Sequence, residues 1–276
     1  MLRRFRQVDV FATGPLSGNP LAVVVDGGDL TDDEMLRFAN WTNLSETTFL
    51  LPPRHDEADY RVRIFTPSEE LPFAGHPTLG SCQVWLDVGG RTKQPDVVVQ
   101  ECGVGLVSIV SDGRHLAFAA PDLVRSGPVD DELRARIEHA LGTEIVDMAW
   151  ADNGPGWIAV LLPTADDVLA LDPDWGGATD LKIGVVGRAT PGLGHDVEVR
   201  AFYPGPNGMS EDPVTGSLNA SLAQWLMAGD PTITSYTARQ GTRLGRAGRV
   251  LLQRDDDGLI WVGGAVTTAV IGHVDL

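Results

Sequence analysis

Cysteine occurs only twice in these 276 residues, as Cys82 and Cys102, which leaves too little for a disulfide framework or a thiolate zinc site. Lysine is as scarce. Lys93 lies in a polar connection and Lys182 in the strand-like "LKIGVVG", so a Schiff-base lysine is not expected. The six histidines are scattered, with no H-x-x-x-H pair to suggest a metal. There is no G-x-x-x-x-G-K-[ST] loop for nucleoside phosphates and no G-x-S-x-G elbow for a serine nucleophile. Long apolar runs are missing as well. No stretch is long enough to span a bilayer, and "MLRRFRQVDVFATG" is interrupted at Asp9 before it resembles a signal peptide. These absences disfavour metal- or cofactor-bound chemistry and make the cytoplasm the expected location.

Positive charge is the other shortage. The 21 Lys and Arg against 38 Asp and Glu give a net charge of −17, which would repel nucleic-acid phosphates. Acidic runs such as "TDDE" and "RDDDG" read as solvated helix starts and turns. A small anionic substrate stays compatible, because local donors overcome a repulsive long-range field. What is present is an ordinary globular balance of 43% apolar and 21% charged residues, on a chain long enough for one large domain or two modest ones.

Comparing the chain with itself favours two. "VRIFTP" at 62–67 recurs as "VRAFYP" at 199–204, and "HPTLGS" at 76–81 as "DPVTGS" at 212–217. The offsets are 137 between Phe65 and Phe202 and 136 between His76 and Asp212. "GNPLAVVV" has a looser echo in "GPGWIAVLL" at 154–162. Two similar half-domains, 1–120 and 121–276, are expected, with an active-site cleft between them. "LAVVV", "TTFLL", "DVVVQ" and "GLVSIV" read as strands. "TDDEMLRFANW" reads as a helix, with Thr31 and Glu34 in capping-box spacing. "PTLGSCQVWL" and "TGSLNASLAQWL" are apolar on all sides and read as buried helices. The expected class is α+β: in each half, a mostly antiparallel sheet curled around one central helix.

On this pattern His76 and Asp212 stand where an extended segment ends and a central helix begins. Pro77 and Pro213 suit the first helical position, where a missing N–H is harmless. Helix starts carry unpaired N–H groups and partial positive charge, which suits a substrate carboxylate, and Gly75 and Gly216 would let it approach the backbone. Taken alone, Asp212 reads as an N-cap and His76 as a turn histidine bonded to a neighbouring carbonyl. Their matching places in a repeat favour a functional role.

The motifs "DVFA…GNPLAVV", "NLSETTFL", "RIFTPSEELPFAGHP" and "EDPVTGS" run nearly the length of the chain in one order, and in this the sequence resembles the PhzF (phenazine-biosynthesis) family of the diaminopimelate epimerase-like fold. The resemblance implies two pseudo-symmetric halves, an active site between them and a homodimer. It also implies Glu46, His76 and Asp212 as catalytic residues, with Ser45, Gly75, Gly216 and Ser217 lining the substrate pocket. Without it, Glu46 would read as an exposed loop carboxylate at a strand start. Related epimerases and racemases use two cysteines at the helix starts. Here those places hold "AGHP" and "EDPV", so two-thiol chemistry is not expected. "ECGVG" at 101–105 mimics such a cysteine motif, but it matches the strand link "RQGTRLGR" in the repeat, making Cys102 a strand-end residue and Cys82 a small core residue.

The implied chemistry is a cofactor-independent isomerisation of a small carboxylic acid. Glu46 would take a proton from carbon and return it elsewhere, His76 and Asp212 would orient or relay, and helix-start amides would hold the carboxylate. A second reading is a non-catalytic ligand-binding or protein-interaction module on the same scaffold. A weaker third is an amino-acid epimerase that works without thiols. Retention of all three acid/base residues favours the enzyme.

Overall fold

The structure, a computed structural model, describes residues 1–205 and 208–276. It divides into two compact units, one of residues 1–119 together with 263–276, the other of residues 120–262.

The first unit contains β1 (Leu2–Val10), β2 (Asn19–Val24), α1 (Asp32–Thr42), β3 (Thr47–Leu51), β4 (Tyr60–Phe65), β5 (Glu70–Leu71), α2 (Gly75–Asp87), β6 (Val97–Cys102), β7 (Gly105–Ser111) and β8 (Leu116–Ala119). The second contains β9 (Arg125–Pro128), α3 (Asp131–Leu141), β10 (Asp147–Asp152), β11 (Trp157–Leu162), α4 (Ala165–Ala170), β12 (Lys182–Arg188), β13 (Val197–Gly205), β14 (Gly208–Asp212), α5 (Gly216–Gly229), β15 (Ser235–Gln240) and β16 (Gly248–Arg254). The chain returns to the first unit within β17 (Ile260–Gly264) and ends in β18 (Val266–Asp275). The second half was expected to run to residue 276. Its last strand instead belongs to the first unit, because β18 lies antiparallel along β1 from Leu2↔Asp275 to Val10↔Val266.

Both units thread their strands in one order. In the first, β2 is parallel to β3, β3 antiparallel to β4, and β4 antiparallel to β5 and parallel to β6, which turns back into β7. In the second, β11 is parallel to β12, β12 antiparallel to β13, and β13 antiparallel to β14 and parallel to β15, which turns back into β16. The α+β class and the curled sheet around a helix are as expected. Within the first unit α2 packs on β1, β2, β3 and β8, and within the second α5 packs on β10, β11, β12 and β16. Helices enclosed this way must be apolar all round. Close approach is arranged differently in each. A Cβ at Gly80 of α2 would meet Leu21 Cδ2 at 2.5 Å, so the helix supplies the glycine. In the second unit the strand supplies it: a Cβ at Gly184 of β12 would lie 2.1 Å from Leu218 of α5.

The repeated Arg-x-Phe has a physical basis. Residues two apart share one strand face, so Arg63 lies over the Phe65 ring at 5.0 Å and Arg200 over Phe202 at 4.7 Å. Each guanidinium reaches across its hairpin to a glutamate with two hydrogen bonds, Arg63 to Glu70 and Arg200 to Glu211. Those glutamates are the register partners of Phe65 and Phe202.

Beyond the strands the register departs from expectation. From Phe65 to the start of α2 is 10 residues, and from Phe202 to the start of α5 is 14 (75 − 65 and 216 − 202). The longer β13–β14 hairpin consumes the extra four. Gly75-His76 and Gly216-Ser217 are therefore the matching helix starts, whereas Gly80-Ser81 lie inside α2. The likeness of "HPTLGS" to "DPVTGS" does not mark equivalent positions. Pro77 is the third residue of α2 and not the first, and Pro213 precedes α5 by three residues. Asp212 is not an N-cap: it ends β14, paired with Ala201, and Thr215 holds the cap position.

Candidate active site

In the first unit, Asn43 caps α1 in the left-handed region at φ 54° and turns the chain toward β3. A hydroxyl pair, Thr42 with Thr47 at 2.8 Å, anchors the link. Ser45 and Glu46 complete it, Ser45 half-buried and Glu46 immediately ahead of Thr47. The Glu46 side chain is only 17% exposed, against the open loop carboxylate its sequence position suggests. Its Oε2 lies 3.4 Å from Nδ1 of His76. His76 is the second residue of α2, with Gly75 buried ahead of it. The Ser81 hydroxyl donates to Thr48 Oγ1 at 2.9 Å and ties the helix carrying His76 to the strand that follows Glu46. Burial lowers the His76 pKa to about 3, with the Pro20 carbonyl opposing that shift. The imidazole is neutral at ordinary pH, and its contact with Glu46 is not an ion pair.

In the second unit, Asp212, Gly216 and Ser217 gather at the start of α5. The Thr215 hydroxyl donates to Asp212 Oδ2 at 2.5 Å. The Ser217 hydroxyl accepts the indole N–H of Trp157 at 3.0 Å, which directs its own proton away from that ring. Asn153 Nδ2 donates to the Ser217 carbonyl, also at 3.0 Å. Sequence reasoning missed Trp157, Asn153 and Thr215 as parts of this group. Trp157 falls in the "GPGWIAVLL" echo, which was the one signal available.

The starts of α2 and α5 share a property that α1, α3 and α4 lack. Neither Ala74 nor Thr215 makes a side-chain cap bond, and neither first turn contains an acid. The other three starts are capped by Thr31, Asp130 and Thr164 and carry acids in the first turn. Amides left without side-chain acceptors, at the positive end of the helix dipole, suit a ligand carboxylate.

The cysteines stand apart from both groups. Cys82 is buried inside α2 and Cys102 ends β6, and burial pushes both thiols up from their ordinary pKa. Among the described residues no cluster of three His, Cys, Asp or Glu side chains could hold a metal ion. No described helix is long and apolar enough to cross a membrane.

The family described as phenazine biosynthesis-like protein matches residues 8–269 of this chain. Trans-2,3-dihydro-3-hydroxyanthranilate isomerase of Pseudomonas aeruginosa is 33% identical over 93% of this chain and 92% of its own length. Antisense-enhancing sequence 1 of Schizosaccharomyces pombe is 36% identical over 97% of each chain. The crystal structure of a PhzF-family phenazine biosynthesis protein from Enterococcus faecalis matches all of both chains with a TM-score of 0.83 at 25% identity.

Proposed function

The chain belongs to the phenazine biosynthesis-like family of isomerases, and on that premise we propose that it moves a proton within a small carboxylic acid by general acid–base catalysis, without a cofactor. The observation that carries this reading is the Glu46–His76 pair. A proton on carbon is removed by a base kept from bulk water, and Glu46 is largely buried. Its neighbour stays uncharged, so the carboxylate is not held in an ion pair that would blunt it. His76 orients the carboxylate and the substrate's polar atoms. Asp212, oriented by Thr215, acts in the same reaction as an acid or relay. The uncapped amides at Gly75 and Gly216 and the Ser217 hydroxyl bind the substrate carboxylate, and Ser45 contributes a further polar contact. The high thiol pKa values and the positions of Cys82 and Cys102 weigh against two-thiol racemisation. The acting form is proposed to be a cytoplasmic homodimer, which sedimentation velocity of the purified protein and fractionation of cells check.

The test is turnover in heavy water. Trans-2,3-dihydro-3-hydroxyanthranilate, the acid named for the Pseudomonas relative, heads a panel of small carboxylic acids. Glu46→Gln keeps the side-chain shape and removes the base, so the rate should fall by roughly 10²–10⁴-fold while binding of the acid persists. A folded Glu46→Gln protein that turns over a verified substrate at the parental rate ends this reading.

A further inference from the structure

Gln240, the last residue of β15, is completely buried and uses its whole amide on one target, the approach to α5. Its Oε1 accepts the Thr215 backbone N–H at 3.0 Å and Asn219 Nδ2 at 2.8 Å. Its Nε2 donates to the Asp212 carbonyl at 3.1 Å and to Thr215 Oγ1 at 3.0 Å. Only one orientation of the amide satisfies all four, since two partners are donors and two are acceptors. The direction then propagates. Thr215 Oγ1 receives the Gln240 N–H, so its own proton goes to Asp212 Oδ2. A fixed glutamine thus sets the rotation of a threonine hydroxyl, and that hydroxyl sets the carboxylate.

We infer that Gln240 is a positioning residue, which holds Asp212 and the first turn of α5 in working geometry through Thr215. The inference rests on the isomerase reading for its consequence in catalysis and on this hydrogen-bond set for its geometry. It also explains why α5 starts without a side-chain cap. The Thr215 hydroxyl, which would otherwise accept a first-turn amide as a cap, is engaged instead by Gln240 Nε2 and Asp212 Oδ2, and the first-turn amides are left without it. The first unit has a partial counterpart. Gln100, buried in β6, donates to Thr78 Oγ1 of α2 at 3.1 Å and accepts from Tyr60 at 2.8 Å. Gln240 bonds directly to the backbone of Asp212, the residue that carries the acid.

Two substitutions separate the halves of the amide. Gln240→Met fills the space and removes every bond. Gln240→Glu keeps acceptors for Thr215 and Asn219 but cannot donate to Asp212 or Thr215. In Gln240→Met the Thr215 amide should exchange with solvent about tenfold faster or more, while the Thr78 amide, bonded to the Ala74 carbonyl of the first unit, exchanges as before. With the acid that the parent turns over, kcat should fall about 10–10²-fold with KM little changed, as expected for misplaced groups. Gln240→Glu should retain Thr215 protection and still lose kcat. A folded Gln240→Met protein with parental Thr215 exchange and kcat overturns the inference. If that variant does not fold, Gln240→Glu with parental kcat overturns it instead. Should the parent turn over none of the acids, the isomerase reading fails, and Thr215 exchange alone decides the role of Gln240.

Discussion

His76 is a titratable ring placed where water scarcely reaches it, and the consequence can be measured without any substrate. Its pKa falls from the ordinary 6.5 to about 3 in the folded chain because burial penalises the imidazolium. Between those values the unfolded chain binds a proton that the folded chain refuses. Stability contributed by the neutral ring is therefore complete above pH 6.5 and is lost as pH falls toward 3, at up to about 1.4 kcal/mol per pH unit. Urea unfolding at pH 7.5, 5.5 and 4.5 should show this slope as a difference between the parent and His76→Gln. Parallel pH profiles for the two proteins would mean that the ring titrates as an exposed histidine does. At this scale the sequence was an uneven guide. Glycine, histidine and proline at 75–77 pointed to a helix start, and α2 does begin at Gly75. The burial of Glu46 could not be read from a Ser-Glu-Thr-Thr string, because it depends on α2, which arrives some thirty residues later.

Between elements, the two central helices are seated by glycines of opposite origin, and this can be tested by relief. Gly184→Ala puts a methyl group into Leu218, and overpacking of this kind costs about 1–3 kcal/mol. Leu218→Ala alone opens a cavity and costs about 2–5 kcal/mol. Together the two should destabilise by less than their sum, because the smaller side chain vacates the space that the new methyl enters. Strict additivity in urea unfolding would show that β12 and α5 adjust independently. The same scale shows what the repeat made legible. Arg-x-Phe survived in both halves because its three partners sit on fixed register positions of a hairpin. The helix starts were misaligned because the β13–β14 ladder runs on past Phe202↔Glu211 to Gly205↔Gly208, whereas the β4–β5 ladder stops at Phe65↔Glu70. "HPTLGS" and "DPVTGS" share proline, glycine and serine for different local reasons. The buried glutamines, Gln100 and Gln240, went unnoticed in "DVVVQ" and "TARQ", though a glutamine in a strand of each half was a signal within reach.

On the scale of the whole molecule, the second unit is one continuous stretch, 120–262, whereas the first is closed by a strand from the far end of the chain. Deleting residues 266–276 would strip β18 from β1 and bare a row of strand N–H and C=O groups, an invitation to edge-to-edge association. The shortened protein should scatter light at concentrations where the parent stays monodisperse or at its native assembly size. Unchanged scattering and unchanged melting would mean that β18 contributes little to closing the sheet. The pairing of Leu2 with Asp275 also has a meaning in time. A chain is made from its first residue onward, and at roughly 5–20 residues per second the stretch 120–262 alone takes on the order of 10 s. Throughout that interval β1 has no β18 to pair with, and contacts so distant in sequence form slowly once they become possible. The second unit can close as soon as its own strands have emerged. The half that is synthesised first is the half that must wait.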